Sequence, residues 1–123
     1  MIRYAEISPT MRAFLGAFEA FRKMGFRAED IFCEIAWSVR FDVLSCFCKL
    51  VAQKKTFAIE VGPVEDADAF GAEYKAVTVA MNKDEISQED LDRIWVESEP
   101  FQMKVEFVTA LMSKGFKPPK SLS

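Results

Sequence analysis

Three thiols are the most reactive groups in this chain: Cys33 stands alone, and Cys46 and Cys48 lie one residue apart in SCFCK, residues 45–49. Cysteines in such an arrangement serve as metal ligands, as a redox pair, or as small hydrophobes within a core. A zinc site needs a fourth ligand, and the 123 residues include no histidine. The same absence rules out histidine-dependent serine and cysteine triads and every imidazole metal ligand. Any general base has to be a carboxylate, a lysine, a tyrosine or a thiolate. Tyr74, Glu97 and Glu99 are the acid–base candidates, in a pocket between sheet and helices. Asp66 and Asp68 form a D-x-D pair of the kind that shares a divalent cation, yet they fall where a helix begins and acids complement its dipole. No Walker loop, dinucleotide fingerprint or nucleophile elbow is present. The expectation is a protein with no catalytic site, no metal and no cofactor.

The elements that must position these groups are marked along the chain. SPTMRAFLGAFEAFRKMGF reads as a helix capped by Ser8, with Pro9 in its first turn and Gly25 as its stop. Met11, Phe14, Leu15, Phe18 and Phe21 recur at helical spacing and form its core-facing stripe. From Ile31 the period changes to two. Apolar runs over 31–39, 43–52 and 56–61, with QKKT between the last two, predict three strands in a meander.

Register follows from asking which turns bring apolar residues together. A first turn at Arg40–Phe41 sets Cys33 opposite Cys48, Ile35 opposite Cys46 and Trp37 opposite Leu44. A second at Lys54–Lys55 sets Leu50 opposite Ile59 and Cys48 opposite Val61. One face then carries all three thiols with Ile31, Ile35, Trp37, Leu44, Leu50, Phe57, Ile59 and Val61, and no charge. The thiols are therefore read as core packing, with Cys33 and Cys48 close enough to bridge if oxidised. The other face is mixed: Phe32, Val43, Phe47 and Val51 share it with Glu34, Lys49 and Glu60. Either a later helix or another chain has to cover it.

After Gly62–Pro63 the chain turns helical. A helix carrying Phe70, Tyr74, Val77 and Met81 is expected, with Val77–Thr78–Val79 as a stretch that also suits a short strand. Ser87 and Asp90 have the spacing of a capping box, and Ile86 and Leu91 that of a hydrophobic staple. Trp95 shares a face with Leu91 and is assigned to the core. A last helix follows Pro100 and stops at Gly115. The fold class is α+β: an N-terminal helix, a three-stranded antiparallel meander, then two or three C-terminal helices on the sheet. Residues 1–116 form the domain and 117–123 a short flexible tail.

The order helix, meander, helix, with FAIEVGPVEDADAFGAEY leading into AVTVAMN, resembles the first part of the type III secretion chaperone fold across residues 9–82. That resemblance implies a small, acidic, dimeric protein. Composition points independently to a binding surface, since half the residues are hydrophobic and 12 are Phe. A net charge of −3 gives no attraction to phosphate backbones, so no nucleic acid is expected. No apolar stretch approaches the length of a membrane span, no signal peptide opens the chain, and the cysteine count is odd; the expected setting is the cytoplasm. The function expected is that of a small non-catalytic binding protein, an adaptor, immunity-type or chaperone-like module. It would form a homodimer through Phe32, Val43, Phe47 and Val51 and meet a protein partner not specified by the sequence. The alternative is a small enzyme built on Tyr74, Glu97 and Glu99.

Overall fold

A computed structural model describes residues 1–97 and 105–120. The elements run α1 (Pro9–Lys23), β1 (Ile31–Ser38), β2 (Val43–Ala52), β3 (Lys55–Pro63), α2 (Ala67–Asn82), α3 (Gln88–Glu97) and α4 (Val105–Ser113), with single helical turns at Tyr4–Glu6 and Ala28–Asp30. The strands form one antiparallel sheet in the order β1-β2-β3. This is the expected α+β arrangement. Among the described residues, the helices pack on one side of the sheet only.

Local chemistry accounts for the first helix. The Ser8 hydroxyl accepts the Met11 amide at 3.3 Å, Pro9 occupies the first helical position, and Gly25 takes φ 95° to end it. Its buried stripe of Met11, Phe14, Phe21 and Met24 lies over Cys46, Cys48 and Leu50 of the central strand. Most of the surplus phenylalanine is used internally. Phe21 meets Phe107 at 5.5 Å between ring centroids and Phe57 at 6.3 Å, and Phe116 meets Phe26 and Phe57 at 6.2 and 6.3 Å. Phe107 and Leu111 thus place α4 on the same side as α1 and away from the second sheet face.

The β1–β2 register matches the expectation residue for residue: Cys33 pairs with Cys48, Ile35 with Cys46 and Trp37 with Leu44. The β2–β3 register differs by two. Cys48 pairs with Ile59 and Leu50 with Phe57, because the turn sits at Gln53–Lys54. Both residues are left-handed, at φ 54° and 62°, as a two-residue hairpin of the favoured hand requires. Glycine is not needed because the Gln53 side chain donates to Lys117 O at 2.7 Å and accepts from its amide at 2.9 Å. A slip of two preserves the face of every side chain. A register shift between Cys46 and Phe47 adds one residue on β3 at Val61.

Trp37 departs from its core assignment. It has the right parity but is 60% exposed, because α1 lies chiefly over β2 and β3 and does not reach the end of β1. The Val77–Val79 stretch is helical throughout, within α2. At α3 the Ser87 hydroxyl accepts the Asp90 amide at 3.1 Å, as expected, and Ile86 is buried. The reciprocal half of the box is diverted: the Asp90 carboxylate accepts the Tyr4 amide at 3.2 Å. Trp95 is half-buried, with the Lys23 ammonium 5.0 Å from its ring centre. In the segment read as a tail, the Lys120 amide donates to Met24 O at 2.9 Å.

Candidate functional site

Strand parity puts Phe32, Val43, Phe47 and Val51 on the sheet face away from the helices, and no described residue covers them. Phe32 is 47% exposed, Val51 39% and Val43 38%, while Phe47 is half-buried between its neighbours on the central strand. The polar groups on this face are mutually satisfied. Lys49 Nζ lies 3.2 Å from the Glu34 carboxylate, and the Ser38 hydroxyl donates to Glu60 at 2.8 Å. Ser45 is buried in the sheet. The result is a largely apolar surface on which Glu34 and Lys49 neutralise each other and the Glu60 carboxylate is held by Ser38.

Sequence reasoning missed how far this surface extends. The β1–β2 connection exposes Val39 and Phe41 beside Val43, and Trp37 stands at the same end of the sheet on the other side. Arg40 lies over the Phe41 ring at 5.0 Å. The available signal was the run WSVRFDV, in which apolar residues continue through a turn that normally carries polar ones.

The thiols lie against the helix layer, Cys46 and Cys48 buried and Cys33 half-exposed, all three free. The close sulfur pair is the diagonal one: Cys33 and Cys46 Sγ are 3.6 Å apart. The hydrogen bond from Cys46 pulls the Cys33 thiol below its ordinary value. That same bond, with burial, pushes Cys46 far upward, and burial does the same to Cys48. No group of His, Cys, Asp or Glu suited to a metal ion occurs among the described residues.

The acid–base candidates are not brought together. The Tyr74 ring packs edge-on against Phe14 at 5.6 Å in a cavity of about 240 Å³ between α1 and α2 that no carboxylate lines. Its phenol is pushed up, mainly by burial and then by the nearby Cys33. Glu97 is on α3, where it pairs with Arg93 at 3.3 Å and accepts the Tyr4 hydroxyl, tying the N-terminal turn to that helix. Glu99 lies outside the described residues. A surface cleft at the starts of α1 and α2 is lined by Glu65, Asp66 and Glu73. Glu73 there accepts both the amide and the hydroxyl of Ser8, and Asp66 caps α2 through the Ala69 amide at 3.0 Å.

No protein-family model matches the chain, and no curated protein or solved structure matches it either.

Proposed function

We propose that this is a small non-catalytic binding protein that works as a two-fold homodimer through the open face of its sheet. The observation behind this reading is the one-sided helix layer among the described residues, which leaves Phe32, Val43 and Val51 exposed around a half-buried Phe47. A Phe side chain kept from burial forgoes ~1.5–3 kcal/mol, so such a face favours association. Two sheets stacking face to face sit about 10 Å apart with their side chains interleaved. A two-fold axis makes the patch its own partner. Tyr74, Glu97 and the cleft carboxylates are engaged in packing, pairing and capping, which weighs against the enzymatic alternative.

The test is Phe32→Glu and Phe47→Glu, with mass from light scattering and helix content from circular dichroism. A buried charge in each copy should convert the dimer to monomer with helical signal unchanged. A dimer that survives both substitutions would place the interface elsewhere.

A further inference from the structure

The two edges of the sheet are treated differently. The β3 edge is blunted at both ends. At Pro63 its carbonyl accepts the Thr10 hydroxyl at 2.9 Å, next to Gly62 and the register shift. At Lys55 the chain from Gly115 to Lys117 lies alongside, bonded to Gln53. The β1 edge has none of these devices. From Phe32 to Ser38 it contains no lysine, proline or glycine, and among the described residues its backbone bonds only to β2. In an antiparallel ladder alternate residues of an edge strand aim their N–H and C=O groups outward. Those groups select one kind of ligand, an extended backbone.

The side chains along this edge narrow the choice. On the helix side an added strand would pass Trp37 at one end of β1. At the other end it would pass the cavity that Ile31 and Ala28 share with Tyr74, Val77 and Thr78 of α2. On the open side it would run beside Phe32 and Glu34; Glu34 is the only charge on β1 and, although 3.2 Å from Lys49, keeps 46% of its side chain exposed to a second cation. We infer that the β1 edge takes up an extended segment of another protein as a fourth strand, apolar at alternate positions and basic opposite Glu34. A second copy is the wrong occupant here. This step rests on the function proposed above: a chain closed into a pair through its sheet face would grow into open-ended or higher assemblies if the edges also paired.

The test uses an acetylated, amidated heptapeptide of alternating valine and lysine, with amide hydrogen exchange of the protein read by NMR. Exchange should slow at the outward amides of Phe32–Ser38. The same peptide N-methylated at alternate residues should not bind, and a valine–glutamate version should bind about fivefold more weakly. The inference is overturned by equal binding of the N-methylated peptide, by protection outside β1, or by no binding at millimolar peptide.

Discussion

Cys33, Cys46 and Cys48 show how burial sets the behaviour of a reactive group. Cys46 and Cys48 are fully buried and held as neutral thiols, while Cys33 is half-exposed. Maleimide should therefore label one thiol, Cys33, in the folded protein and all three after unfolding; fast native labelling of all three would remove Cys46 and Cys48 from the core. Stability should also depend on alkali. A thiol whose folded pKa is raised stabilises the fold fully below the unfolded value, near pH 9.0, and loses that contribution as pH rises beyond it. Tyr74 acts in the same direction at higher pH, and the lowered Cys33 opposes them. The urea midpoint is expected to hold from pH 7 to 8 and fall above pH ~9. Cys48→Ala should show a shallower fall. Side-chain identity and parity were enough to place all three thiols on the packed face. The diagonal Cys33–Cys46 contact was not legible, because it depends on rotamers rather than on register.

At the scale of the element, caps and turns carry energies that can be tested singly. Ser87→Ala removes the acceptor for the Asp90 amide and should cost about 1 kcal/mol in urea unfolding; a change within error of zero would mean that the cap contributes nothing. Gln53→Ala removes two bonds to Lys117 from a left-handed turn residue and should cost about 1–2 kcal/mol. The Gln53 bond also explains why the turn was placed one residue late and the register two residues off. Its partner lies 64 positions away, so no local pattern announces it. Helix ends were legible for the opposite reason, since Ser8, Gly25 and Ser87 act within a few residues. Trp37 marks the limit of parity, which tells the side of a sheet and not how far the covering helix reaches.

For the whole molecule, the decisive feature is that one sheet serves two environments. Its inner face is closed by α1, α2 and α4 around the phenylalanine cluster, and its outer face keeps Phe32, Val43, Phe47 and Val51 at the surface. The outer residues were readable from alternation alone, whereas their freedom from a C-terminal helix depended on Phe107 and Leu111 docking inward. The contrast between the two sheet edges among the described residues was not readable, since blunting of β3 comes from distant Thr10 and Lys117. Among the described residues no helix is long and apolar enough to cross a membrane. Sedimentation equilibrium of the unmodified protein at micromolar concentration tests the paired open face most directly. A mass of twice 14.0 kDa is expected, and a single 14.0 kDa species across the concentration range would contradict the dimer.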